Sequence, residues 1–259
     1  MNTLPPYYSS LAPFLSLFAS GHPILTYHKL GPRPRKVRLR GLYLSAELFD
    51  QQLAELRASG FTNEPLSQVI TEPPASTAGI TLTFDDGYQN ALRYGLEPLA
   101  KHGFQAIQYL VANRLGQLND WDVRVGEAPE PLMSEPEVRD WLAAGHEIGS
   151  HTSTHPYLTR IPINEAKNEI QDSKKRLEDT FGVPIQHFCY PYGDWNPIVR
   201  DIVIEAGYLT AVTTDFGVNT LETSPFELKR ITARYPSKNW RTALRFLQNL
   251  FDHRKNGAD

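Results

Sequence analysis

The sequence predicts an α/β fold built on a parallel β-sheet, and three observations carry that expectation. Apolar, β-branched runs of strand length alternate with segments of helical periodicity about six or seven times along the chain. Serine and glycine residues fall between these segments where helix caps and stops are needed. At 259 residues, with 41% hydrophobic and 21% charged side chains, the chain has the composition of an ordinary soluble globular protein and is long enough to build one large core.

Taken in order, residues 23–27 (Pro-Ile-Leu-Thr-Tyr) read as a strand, and residues 45–59 as a helix capped by Ser45 and stopped by Gly60. Residues 79–84 are the next strand, followed by a helix from about residue 88 to 102 that Gly103 terminates. Residues 105–111 return to strand. The capping box Ser134-Glu135-Pro136-Glu137 then opens a helix that stops at Gly145. Residues 146–150 are a short strand, and 164–181 form the clearest amphipathic helix. Residues 187–190 and 209–214 are strands around a helix at 196–206, and 237–251 is a last helix. The stretch 115–132 is long and irregular, and a loop of that length inside a compact domain is commonly functional.

Charge and cysteine content exclude several classes. A net charge of −3 and a pI of about 6.2 argue against a nucleic-acid-binding surface. The local exception is a basic run holding Arg33, Arg35, Lys36, Arg38 and Arg40. It reads as a solvated loop, with a site for an anionic head group or polymer as the alternative. The single cysteine, Cys189, excludes an intramolecular disulfide. No run reaches the roughly eighteen apolar residues of a membrane span. The apolar patch at 11–19 is broken by Pro13 and has no basic residue before it, a poor match to a secretory signal, so the expectation is a cytoplasmic protein. Residues 240–251 mix aromatic and basic side chains, which suits packing on the domain or association with a membrane surface. Nothing in the sequence fixes the oligomeric state.

The chemistry-bearing residues fall at the ends of strands. Tyr27-His28, Asp85-Asp86, His151 and Pro191-Tyr192-Gly193 each follow directly on a strand-like run. In a parallel barrel those carboxyl ends share one face, where active sites are built. Asp86, His151 and His155 offer a carboxylate oxygen and two imidazole nitrogens, a set suited to a hydrolytic metal site with a position left open for water. Asp85 is then left to move protons as a general base. A His pair at spacing four is a weak signal alone, and Asp-Asp-Gly alone is more often a turn. Both segments at strand ends make the metal reading the better one. Zinc is the first expectation, although a His₂Asp set also accepts cobalt, nickel or iron.

Three segments carry a resemblance to a known family: Thr83-Phe84-Asp85-Asp86-Gly87, Gly149-Ser150-His151-Thr152-Ser153-Thr154-His155-Pro156 and Phe188-Cys189-Tyr190-Pro191-Tyr192-Gly193. Together they resemble the polysaccharide deacetylases with the NodB-homology domain, carbohydrate esterase family 4. The runs Ile24-Leu25-Thr26-Tyr27-His28, Leu42-Tyr43-Leu44-Ser45, Ala211-Val212-Thr213-Thr214 and Leu228-Lys229-Arg230-Ile231 are similar to the branch that includes poly-N-acetylglucosamine deacetylases.

The resemblance implies a single-domain, distorted (β/α)7 TIM-like barrel over residues 22–235. Residues 1–21 would be an N-terminal extension, and 236–259 a C-terminal helix and tail. It also implies a hydrolase that removes N-acetyl groups from an amino sugar, whether an oligosaccharide, a polysaccharide or a lipid-linked glycan. Asp85 matches the family's base, and Asp86, His151 and His155 its metal ligands. Tyr192 lies in the motif whose backbone N–H stabilises the oxyanion.

Two departures stand out. The arginine that many members carry to orient the base is Cys189 here, and Arg230 is the candidate replacement. The family's late Leu-x-His motif, which supplies the general acid, has no counterpart near residues 228–230, and His28 is the natural substitute. The alternatives are a deformylase or an amidase on a related non-polymer substrate, or a non-catalytic carbohydrate-binding protein. The retained Asp85 argues against the last, because a binding module needs no base.

Overall fold

The computed structural model describes residues 14–35, 37–69, 78–123 and 126–233. Among these the strands are β1 (Ile24–Tyr27), β2 (Lys29–Leu30), β3 (Tyr43–Leu44), β4 (Thr62–Asn63), β5 (Gly79–Phe84), β6 (Ala106–Leu110), β7 (Glu147–Ser150), β8 (His187–Cys189), β9 (Thr210–Phe216) and β10 (Leu228–Thr232). β5 to β10 pair in sequence order, all parallel, and β1 pairs with both β10 and β5, so seven strands close a ring. β4 extends the start of β5, while β2 and β3 form a separate two-stranded ribbon. The ring is irregular at one seam. Val212 of β9 pairs with Leu228 of β10, yet Phe216 pairs with Arg230, so β9 carries extra residues there as a bulge. The expected (β/α)7 barrel is therefore the observed architecture.

The helices follow from the punctuation in the sequence. Ser45 caps the helix Ala46–Ala58 by accepting from the Leu48 N–H, and Asn196 caps Pro197–Glu205 through the Val199 N–H at 2.9 Å. Glu137 accepts from the Ser134 N–H at 2.8 Å and so fixes the entry to Glu135–Ala143. The helices Gln89–His102 and Ile163–Phe181 end on Gly103 and Gly182, both left-handed with φ 69°. β10 is absent from the strand–helix alternation, because Lys229 and Arg230 interrupt its apolar run. The helix expected at 237–251 lies outside the described residues, as do residues 1–13 of the N-terminal extension. No helix among the described residues is long and apolar enough to cross a membrane.

Strand alternation sorts the side chains into two cores. Leu25, Tyr27, Ile80, Leu82, Phe84, Ile148 and Phe188 face outward and pack under helical residues such as Leu53, Leu99, Trp141 and Leu177. Ile24, Ile107, Tyr109, Cys189, Val212 and Leu228 form a smaller cluster that fills the ring itself. Gly149 makes room for this filling. A Cβ there would lie 2.5 Å from Tyr109 Cδ1 and 2.8 Å from the His187 carbonyl oxygen. We therefore expect Gly149→Ala to destabilise the protein by about 1–3 kcal/mol through overpacking, read as a lower urea midpoint. An unchanged midpoint would mean that the interior yields more easily than this packing suggests.

Candidate active site

The same alternation aims the polar residues. Inward positions climb from Ile24 through Thr26 to His28, from Thr81 through Thr83 to Asp85, and from Gly149 to His151. Each column ends at the carboxyl rim of the ring with a titratable group. The rim opens into a cleft of about 260 Å³ lined by His28, Asp85, Asp86, His151, His155, Tyr192 and Arg230, together with Trp121 and Asp122. All seven residues singled out in the sequence thus meet in one place.

Asp86, His151 and His155 converge through their ligating atoms. Asp86 Oδ1 lies 3.3 Å from His151 Nε2 and 3.3 Å from His155 Nε2. Two atoms bonded at about 2.0–2.1 Å to one tetrahedral centre stand about 3.3 Å apart, so the spacing fits a shared ion. Proton placement supports the same conclusion. His151 Nδ1 is 2.8 Å from the Cys189 carbonyl oxygen, which can only accept, so Nδ1 carries the hydrogen. In the neutral ring Nε2 then presents a lone pair to a carboxylate oxygen. Two such acceptors at 3.3 Å share a cation, either a proton or a metal ion, and a set of two imidazoles and one carboxylate suits a divalent metal. Burial pushes the Asp86 pKa up, but the two imidazoles outweigh it and hold the carboxyl well below its ordinary range. Burial keeps His155 below its usual value, which favours the neutral ligating form.

Asp85 is held apart from this group. Arg230 NH1 and NH2 donate to Asp85 Oδ1 and Oδ2 at 2.7 and 2.8 Å, a bidentate pair with both side chains buried. The other guanidinium hydrogens reach the Thr213 carbonyl at 2.8 Å, Thr83 Oγ1 at 3.2 Å and Cys189 Sγ at 3.2 Å, so every N–H of the group has a partner. The bulge in β9 lies at Thr213, where its carbonyl meets Arg230 Nε. Burial raises the Asp85 pKa, but Arg230 and His28 more than offset it, so the carboxylate is ionised below its ordinary range. Cys189 is a fully buried thiol, and Arg230 is a core residue of the site rather than a surface one.

His28 Nε2 stands 3.7 Å from Asp85 Oδ2, with its side chain 18% exposed to the cleft. Burial lowers its pKa, partly offset by Asp85 and Asp86. Tyr192 is exposed at the rim, stacked on Tyr157 at 3.9 Å and edge-on to His155 at 4.5 Å.

Four non-glycine residues have positive φ among those described: Asp86, Thr152, His155 and Tyr192, at 74°, 67°, 66° and 60°. All four lie at this site. Such backbone costs about 1–3 kcal/mol per residue and persists only where surroundings enforce it. The enforcement is visible around His151 and His155. Glu169 accepts from the Ser153 and Thr154 N–H groups at 2.9 Å each and from Thr154 Oγ1 at 2.7 Å. Thr152 Oγ1 accepts from the His155 N–H at 3.0 Å.

Two contributors were not singled out by the sequence. Glu169 is one polar residue among many on an amphipathic helix, and nothing local marks it. Trp121 sits in the irregular 115–132 stretch, within a helical turn at Asp120–Val123, and its ring stacks on His155 at 4.6 Å. The length of that loop was its only signal.

Comparison with known proteins gives the family and the fold. The family model described as polysaccharide deacetylase matches residues 73–211. A Bacillus subtilis protein named as a polysaccharide deacetylase, YxkH, is 24% identical over 213 residues, covering 81% of this chain and 70% of its own. The peptidoglycan-N-acetylglucosamine deacetylase PgdA of Listeria monocytogenes is 25% identical over 173 residues, which cover 66% of this chain but only 31% of PgdA. The structure of the Streptococcus pyogenes deacetylase PplD in complex with acetate superposes with a TM-score of 0.70 at 22% identity, covering 82% of this chain and 92% of that one.

Two outcomes follow from the contacts described. Arg230→Met strands a buried carboxylate and should cost about 3–5 kcal/mol of stability by chemical denaturation, with most of it recovered in Arg230→Met/Asp85→Asn. Glu169→Gln should weaken metal binding about 10–100-fold in chelator competition, because it loosens the segment that carries both imidazoles.

Proposed function

Because the chain belongs to the polysaccharide deacetylase family, we propose that it is a metal-dependent hydrolase that removes N-acetyl groups from an amino sugar of a glycan, either an oligosaccharide or polysaccharide or a lipid-linked one. The observation that carries this reading is the division of labour between adjacent carboxylates. Asp86 faces two imidazoles at 3.3 Å, whereas Asp85 faces a guanidinium at 2.7 Å. A binding module would have no use for the second arrangement.

Asp86, His151 and His155 would hold the ion, with zinc the best fit to a His₂Asp set that also accepts cobalt, nickel or iron. A bound divalent ion supplies Lewis acidity to the attacking water and to the acyl oxygen. The protein does the rest. Asp85 accepts the proton of the attacking water at a carboxylate oxygen, and Arg230 keeps that carboxylate ionised and aimed. The backbone N–H of Tyr192 is the donor assigned to the oxyanion, and the left-handed φ of 60° at that residue on the cleft wall supports the assignment. His28 hands a proton to the departing nitrogen, so that a neutral amine leaves and the acyl group departs as acetate. The leaving amine needs a proton donor, and His28 is the imidazole lining the cleft that does not face Asp86, 3.7 Å from Asp85.

Amine release from N-acetylglucosamine oligomers, with and without chelator, tests the reading, and turnover that survives complete metal removal would sink it. Asp85→Asn should keep its metal while losing about 10²–10⁴-fold in kcat, the usual worth of a positioned base. His28→Ala should likewise retain metal, measured by elemental analysis, while turnover falls. Loss of metal in that variant would make His28 a fourth ligand instead.

A further inference from the structure

Lys29 follows His28 directly and plays no part in the reaction above. It is fully buried, and its Nζ has no hydrogen-bond partner among the described residues. A lone ammonium in that state is costly, and it is tolerated only where something compensates for lost water. Three groups do so. The rings of Tyr88 and Tyr43 lie 4.5 and 5.0 Å from Nζ, and Asp122 Oδ2 lies 3.6 Å away. Asp122 is turned toward the lysine by donors of its own, since Tyr88 Oη and Asn119 Nδ2 both reach Oδ2 at 3.0 Å.

Asp122 also lines the cleft, so it has a way out to water. Only its pairing with Lys29 gives the carboxylate a charged reason to stay inside. Its chain neighbour is Trp121, whose ring lies nearly parallel to His155 at 4.6 Å with 20° between planes. The loop and the metal-ligating segment come from different parts of the chain, and this stack joins them.

We propose that Lys29 and Asp122 form a buried tether that positions Trp121 against His155, making Trp121 a specificity-determining wall of the cleft for a saccharide substrate. The substrate half of this statement rests on the deacetylase reading, and the tether half does not. Lys29 is a positioning residue. With its charge removed, Asp122 turns to the open cleft and the Asp120–Val123 turn carries Trp121 away from His155.

Cobalt added to the metal-free protein tests this through tryptophan fluorescence. Co²⁺ should quench the wild type, and Trp121→Phe should lose most of that quench. Lys29→Met should bind cobalt at the same stoichiometry, yet lose most of the Trp121-dependent quench. Its KM for N-acetylglucosamine oligomers should rise about tenfold, with kcat falling less.

Lys29→Met/Asp122→Asn removes both charges and keeps the amide as a partner for Tyr88 and Asn119. It should recover the urea midpoint of the single variant without recovering the quench, which a purely structural role of Lys29 would not predict. A full Trp121-dependent quench in either Lys29 variant overturns the tether, as does a wild type whose quench does not depend on Trp121. A wild type that turns over no acetylated oligomer defeats the deacetylase reading while the fluorescence still decides the tether.

Discussion

The bidentate pair between Asp85 and Arg230 is the interaction on which the site is organised. Two opposite charges are buried here, and burial is tolerable only if each hydrogen-bonding atom is matched. Matching sets the surroundings. Thr83 from β5, Cys189 from β8 and the Thr213 carbonyl from β9 each take one guanidinium hydrogen, so a single side chain joins four strands of the ring. The bulge that distorts the barrel at β9 lies where one of these partners is supplied. The irregularity of the fold and the orientation of Asp85 are thus one feature.

The segment from His151 to His155 obeys a different logic, in which backbone strain is accepted to aim side chains. Asp86, Thr152, His155 and Tyr192 are all left-handed; three of them line the cleft, and Thr152 lies buried beside His151. None is a glycine, because three of them must carry a functional side chain or frame one. Glu169 holds the segment from outside, Thr152 braces it from within, and the Cys189 carbonyl selects the tautomer of His151. Precision at the rim is obtained from hydrogen bonds that reach in from neighbouring strands and helices.

Much of this was legible in the sequence, for reasons that differ from residue to residue. Caps and stops such as Ser45, Gly103 and Asn196 act locally, so their neighbours reveal them. Asp85, Asp86, His151 and His155 were legible because two short segments complete one another chemically. Arg230 was found by a vacancy, since Cys189 cannot orient a carboxylate and some other guanidinium had to. Other features were hidden because their causes are non-local. β10 carries charged residues in the place of an apolar run, and only the ring shows that Arg230 faces inward. Glu169 and Trp121 act on a segment to which nothing in their own neighbourhood points, and Lys29 is unusual only once its burial is known.

The pair of Asp85 and Arg230 is also a long-range contact, 145 residues apart in sequence, between the end of β5 and the last strand of the ring. A chain emerging from the ribosome has both imidazoles and both carboxylates in hand well before β10 is made. It does not yet have a closed barrel or a paired Asp85, because both arrive with the same strand. Closure of the ring and pairing of Asp85 are therefore a single event, and a nascent or clipped chain lacking β10 carries the Asp86, His151 and His155 cluster while Asp85 has no guanidinium beside it.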